Sequence, residues 1–184
     1  SGRLRMLLVL LVCAAPVIAS YLTYYVVRPQ SLRSFGELIL PVAAMPELQA
    51  KDLKGQTVAL SSLKKQWLLV SVAGGACPAE CQQNLFLQRQ TRAALGRERD
   101  RTDWVWLVTD DAPLDAALLV GLQDAIVLRV SQAEVSQWLK PQAASKLEDH
   151  LYLVDPNGDW MMRFPAHLQP DQAPKMRKDW DRLL

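Results

Sequence analysis

The 184-residue sequence predicts a three-layer α/β sandwich with a mixed sheet, preceded by one N-terminal transmembrane helix. Three observations predict it. Residues 6–27 run for 22 positions without a charge. Two short apolar runs, 67–72 (WLLVSV) and 104–109 (WVWLVT), are separated by a stretch of helical character. Asp155-Pro156-Asn157-Gly158, a turn sequence, sits between two further strand-like segments. As a helix the uncharged run reaches roughly 33 Å, enough to cross a hydrocarbon core of about 30 Å. Continuous apolar runs of this length mark strands buried on both faces. Strand–helix alternation that ends in an antiparallel hairpin puts helices on both faces of a mixed sheet.

The elements follow in order. Tyr21, Tyr24 and Tyr25 cluster at the far end of the uncharged run, where amphipathic rings favour the membrane interface, and Arg28 closes it. Arg3 and Arg5 precede it, so the Lys/Arg rule places the N-terminus in the cytoplasm and the domain that follows in the periplasm, on a single-pass inner-membrane anchor. A cleaved signal peptide draws on the same residues, because Val17-Ile18-Ala19 has the small-residue spacing of a cleavage site. The apolar run continues past that point, which favours an uncleaved anchor over residues 1–28. Cys13 inside the span reads as an inert apolar residue. Residues 29–50 carry Pro29, Pro41 and Pro46 without a clear period and read as an extended tether. The compact domain is then 51–184. It should hold a short strand at 57–60, a strand at 67–72 and a helix at 78–95 stopped by Gly96. Next come a strand at 104–109, a helix at 114–122, a strand at 126–130 and a helix at 132–139. A hairpin of 151–154 with 160–164 follows, then a final helix at 170–184 with Met176, Trp180, Leu183 and Leu184 on one stripe.

Charge narrows the function. All 19 acidic residues, and 19 of the 21 Lys and Arg, lie beyond residue 27, so that part of the chain is neutral. Nucleic-acid binding needs a clustered cationic surplus and is excluded as an expectation. With Cys13 in the anchor, a four-ligand structural zinc site in the domain would need both remaining Cys and both His. Arg89, Arg92, Arg97, Arg99 and Arg101 interleave with Glu98, Asp100 and Asp103 and read as a solvated helix face; docking to an acidic partner or to lipid headgroups is the alternative. Asp110-Asp111, just after a buried strand, reads as a loop cap.

One constellation carries chemistry: Cys77-Pro78-Ala79-Glu80-Cys81, directly after a buried strand and Gly74-Gly75, opening a helix. A thiol at a helix N-terminus meets unsatisfied N–H groups and the positive end of the dipole, which favour thiolate. Pro78 suits the first helical position. Four-residue spacing puts both sulfurs on one side of the opening turn, where they can close a small disulfide or hold a soft ion such as Cu(I). A plain stapling disulfide, or two inert thiols, are the other readings. A loop this short constrains the unfolded chain little and makes an inefficient staple.

Residues 52–58 (DLKGQTV), the 67–72 strand, Cys77-Pro78-x-x-Cys81 and residues 152–158 (YLVDPNG), in that order and spacing, resemble the Sco/SenC family of thioredoxin-fold proteins. The resemblance covers about residues 50–184 and implies a thioredoxin-like domain on a membrane anchor. It further implies a part in cytochrome c oxidase assembly, through thiol–disulfide exchange or copper handling by Cys77 and Cys81. Cytochrome c oxidase subunits or another membrane respiratory complex are the partners it implies, beside membrane lipid. A redox-inert accessory or scaffold subunit is the competing reading. Two positions depart from the family pattern: Gln82 stands where Pro is common, and Glu148 where the third copper ligand, a His, is expected. His150 is the substitute candidate, since strand alternation would set it on the face of Glu148; otherwise it is a half-exposed strand-edge residue. His167 reads as solvated surface.

Overall fold

The computed structural model describes residues 2–27 and 34–184. Arg28, Pro29 and Arg33, assigned above to the end of the anchor and the start of the tether, lie outside the described residues. The N-terminal unit is α1 (Gly2–Leu22), which continues as a π-helical turn over Thr23–Val27. Its Gly2–Tyr25 stretch, with mean hydropathy 2.3, is long and apolar enough to cross a membrane. Tyr21 stacks on Tyr25 with ring centroids 5.8 Å apart.

The second unit, Phe35–Leu184, is built on eight strands. In chain order they are β1 (Glu37–Ala44), β2 (Gln49–Lys51), β3 (Thr57–Ala59), β4 (Trp67–Ala73), β5 (Thr102–Val108), β6 (Ile126–Arg129), β7 (Leu151–Val154) and β8 (Asp159–Arg163). Helix α2 (Ala79–Ala93) joins β4 to β5, and α3 (Ala116–Val120) joins β5 to β6. Helix α4 (Gln132–Trp138) follows β6, and α5 (Ala173–Asp181) ends the chain. The sheet order is β1-β8-β7-β4-β5-β6-β2-β3. Strands β4, β5 and β6 are parallel neighbours, while β7 runs antiparallel to β4. All seven residues of β4 are buried, as its unbroken apolar sequence requires.

Alternation along β4 makes the layers. Leu68, Val70 and Val72 join one core with Val135, Trp138, Tyr152 and Val154. Leu69 joins another with Leu87, Leu153, Met176 and Trp180. Side chains of a strand point to opposite faces in turn, so the sheet is the middle of three layers. The predicted stripe of the last helix is real: Met176 and Trp180 are fully buried, and Leu183 and Leu184 pack on the same core.

The tether expected over 29–50 differs from what is found. Its second half is sheet, and the compact unit begins at Phe35 rather than near residue 51. Proline misled the expectation. β1 is the outermost strand and pairs only with β8, so Pro41 removes no needed ladder donor. The β1–β8 register is also interrupted between Leu38 and Ala43. The start of the unit is clasped to its end: the Gly36 N–H donates to the buried carboxylate of Asp179 at 2.8 Å, and the Lys175 ammonium lies 5.6 Å from the Phe35 ring.

Candidate functional site

The site is built where central strand β4 stops. Gly74 and Gly75 follow it, and neither has room for a side chain. A Cβ on Gly75 would lie 2.5 Å from the Ala112 carbonyl oxygen and 3.1 Å from Leu114 Cδ2; one on Gly74 would strike the Asp110 carboxylate. The glycines thus let the loop after β4 press against residues 110–114, the chain leaving β5. Asp110 is the loop cap its position suggested: its carboxylate accepts from the Gly75 N–H at 2.7 Å and from the Ala112 N–H at 3.2 Å. Arg129 closes the other side, donating to the carbonyls of Asp110 at 2.5 Å and Ala112 at 2.8 Å. Gly75→Ala is therefore expected to push the 110–114 segment off the cysteine loop, at about 1–3 kcal/mol for a forced overlap. Chemical denaturation reads the stability loss, and faster labelling of the reduced thiols reads the opening.

Cys77 and Cys81 form a disulfide with Cα atoms 5.1 Å apart. Cys77 sits in the left-handed region at φ +38°. Pro78 is the N-cap of α2 rather than its first helical residue, which puts Cys77 just outside the helix and Cys81 in its first turn. Two bonds hold the loop: the Cys77 N–H donates to the Gly74 carbonyl at 3.1 Å, and the Gln82 side-chain amide donates to the Cys77 carbonyl at 3.1 Å. The latter is what this chain does with the position where proline was expected. Both cysteines are buried, at 2% and 5% exposure, in a cluster with Leu85, Trp104, Trp106 and Val108.

His150 is fully buried, not a half-exposed strand-edge residue. Leu147–Asp149 is a 3₁₀ turn, so strand alternation does not relate Glu148 to His150. The Gln142 N–H reaches His150 Nε2 at 3.2 Å and can only donate, which assigns the lone pair to Nε2 and the proton to Nδ1. Nδ1–H then donates to the Phe164 carbonyl at 2.8 Å, and the Ser145 hydroxyl lies 2.6 Å from Nε2. Burial is the main cause holding its pKa below the ordinary histidine value; the Phe164 bond opposes this, and the Arg163 charge adds to it. To ligate copper beside the thiols, His150 would have to release these bonds.

His167 is the histidine that reaches the motif. Its ring is exposed, as expected of a surface residue, but Nδ1 meets the carboxylate of Glu80, one of the three residues between the two cysteines. Its backbone is left-handed at φ +55°, and its N–H donates to the Asp149 carbonyl at 3.3 Å. No sequence signal pairs two residues 87 positions apart. Among the described residues, no group of three or more His, Cys, Asp or Glu is placed to hold a metal ion.

Residues 67–184 match the family model described as the transmembrane-like, thioredoxin-like, C-terminal domain. The chain belongs to this family. In the transmembrane-like, thioredoxin-like family the matched region starts at β4 and takes in the disulfide, both histidines and α5. No curated protein matches the chain. Solved structures do. Apo Sco1 from Thermus thermophilus is 18% identical at TM-score 0.60, over 82% of this chain and 97% of that one. ScoI from Bradyrhizobium japonicum, solved with copper bound, is 22% identical at TM-score 0.51, over 74% and 98%. The thioredoxin domain of a thiol-disulfide oxidoreductase from Bacteroides vulgatus is 18% identical at TM-score 0.53, over 77% and 99%. At these identities the likeness establishes the fold: thioredoxin-like, shared with Sco/SenC proteins and thiol–disulfide oxidoreductases.

Proposed function

We propose that this chain is a membrane-tethered thioredoxin-like factor that works through Cys77 and Cys81 outside the cytoplasmic membrane, in the assembly of a heme–copper oxidase or another membrane respiratory complex. The observation that carries the reading is the closed Cys77–Cys81 disulfide between the central strand and the first turn of α2. As a staple the bridge does little: closing a loop of five residues is worth roughly 2 kcal/mol in chain entropy. As a redox couple it is well placed. After reduction Cys81 lies in the first turn of α2, where unpaired N–H groups and the dipole stabilise a thiolate. In exchange, a partner thiolate attacks one sulfur of the bridge, forms a mixed disulfide and frees the other cysteine as thiolate. A second partner thiolate then resolves the mixed disulfide, leaving the partner oxidised and this chain a dithiol. The thiol-disulfide oxidoreductase among the structural neighbours supports this chemistry.

Copper is the cargo the dithiol can take. Two thiolates suit Cu(I), a soft ion that tolerates low coordination, and the copper-bound ScoI supports the reading. The reduced protein is expected to bind Cu(I) and to bind Cu(II) poorly, because the His150 lone pair is engaged elsewhere. Anaerobic titration of wild type and His150→Gln checks this. An intense sulfur-to-Cu(II) charge-transfer band that vanishes in the variant would make His150 a ligand.

Arg3 and Arg5 ahead of the apolar helix support a cytoplasmic N-terminus and a periplasmic domain. One observation favours the second reading, a redox-inert accessory subunit: neither sulfur-bearing residue is more than 5% exposed, and exchange requires access. Thiol trapping in intact cells decides between the two. A pair that cycles between reduced and oxidised forms supports the proposal; a permanent bridge, with oxidase activity unchanged in Cys77→Ser, supports the accessory subunit.

A further inference from the structure

We infer that the arginines following the motif form an oxyanion site, specific for a phosphate group and separate from the cysteine chemistry. The second half of α2, the 3₁₀ turn Gly96–Arg101, β5 and the loop before β6 enclose a cavity of about 190 Å³ lined by Arg89, Arg92, Ala93, Arg99, Trp104 and Asp124. Sequence alone made these arginines a solvated face balanced by interleaved acids. The structure sorts them. Glu98 pairs with Arg101 at 2.8 Å, and neither lines the cavity. Arg92 is fixed before any ligand arrives: its Nε donates to the Thr102 carbonyl at 2.7 Å, its Nη2 lies 3.7 Å from Asp103, and its side chain is only 14% exposed. Arg89 has no partner among the described residues.

Three guanidinium groups around one cavity repel one another unless an anion joins them. The one carboxylate in the lining, Asp124, does this for a single arginine: it bonds Arg99 at 3.3 Å and is 71% exposed. A pair that exposed is weak, so Asp124 is a replaceable internal anion. Guanidinium forks match the paired oxygens of a phosphate group, and the buried edge of Trp104 gives the cavity a rigid apolar wall. A phosphate group reaches such a site either free in solution or on a lipid headgroup.

The test uses the full chain in zwitterionic lipid nanodiscs, titrated with inorganic phosphate at constant ionic strength, reading amide and indole NMR shifts. Saturable shifts confined to residues 89–104 and 124 are expected. Arg89→Gln and Arg99→Gln should each weaken the apparent affinity about tenfold, the usual worth of a charge-assisted bond. Asp124→Asn should tighten it, and Arg101→Gln should leave it unchanged. A second arm replaces part of the lipid with anionic phospholipid. The same shifts there, without added phosphate, identify the headgroup as the source; shifts with inorganic phosphate alone identify a soluble ligand. Absence of shifts in both arms, or an Arg101→Gln effect equal to that of Arg89→Gln, would overturn the site.

Discussion

Cys77→Ser is expected to abolish thiol–disulfide exchange while leaving the domain folded. The substitution removes the bond on which the proposed chemistry depends, and exchange has no other disulfide among the described residues to use. Structural damage should be small: serine is nearly isosteric, and the bridge contributes roughly 2 kcal/mol by loop entropy. The bonds that shape the loop, from the Cys77 N–H to Gly74 and from Gln82 to the Cys77 carbonyl, are made by backbone and neighbour and persist. Loss of reductase activity on a model disulfide, with a melting temperature lowered by only a few degrees, is the predicted pair of results. The remaining Cys81, in the first turn of α2, is a single thiol that cannot be resolved internally, so a partner disulfide attacked by it in this variant stays covalently attached and can be recovered. Residual exchange in Cys77→Ser, or collapse of the fold, would contradict the assignment.

The largest stability effect is expected at His150. Truncation to alanine leaves the buried Phe164 carbonyl without its donor, at about 1–3 kcal/mol, removes the acceptor of the part-buried Gln142 N–H, and opens a cavity as well. A total of about 3–5 kcal/mol is a large part of the 5–15 kcal/mol that holds a typical domain. The same burial gives a pH signature. His150 has a lowered pKa in the folded protein, so the unfolded chain takes up the proton first as pH falls. Its stabilising contribution is complete above the unfolded value of about 6.5 and declines as pH drops below it. Urea unfolding at pH 7.5 and 5.5 should show that decline in wild type and a shallower one in His150→Gln. Equal slopes would mean that another group titrates.

Much of the fold was legible in sequence because it rests on periodicity. The apolar runs of β4 and β5 and the Asp155–Gly158 turn are local patterns, and the elements they predict are present within a residue or two. β1 was not legible. An edge strand tolerates the proline that a linker also favours, and only the sheet order shows that it is an edge. β2 was lost because three residues carry no period. At the site, the cysteine pair and the Asp110 cap could be read from position along the chain. The histidines could not. The depth of His150 depends on a 3₁₀ turn that breaks strand alternation, and the contact of His167 with Glu80 exists only after β8 has brought the chain back beside α2.

The clasp between Gly36 and Asp179 has a mechanical meaning. Tension reaching the compact unit along its N-terminal connection enters at Phe35 and is met first by that 2.8 Å bond and by the 2.6 Å ion pair between Glu37 and Arg163. Beyond them lies the β1–β8 ladder, already interrupted between Leu38 and Ala43, so β1 can peel away in two short stages. Its removal leaves β8 paired to β7 and β7 paired to β4. The outer strand can thus leave the rim of the sheet while the strand that carries the cysteines keeps both of its neighbours.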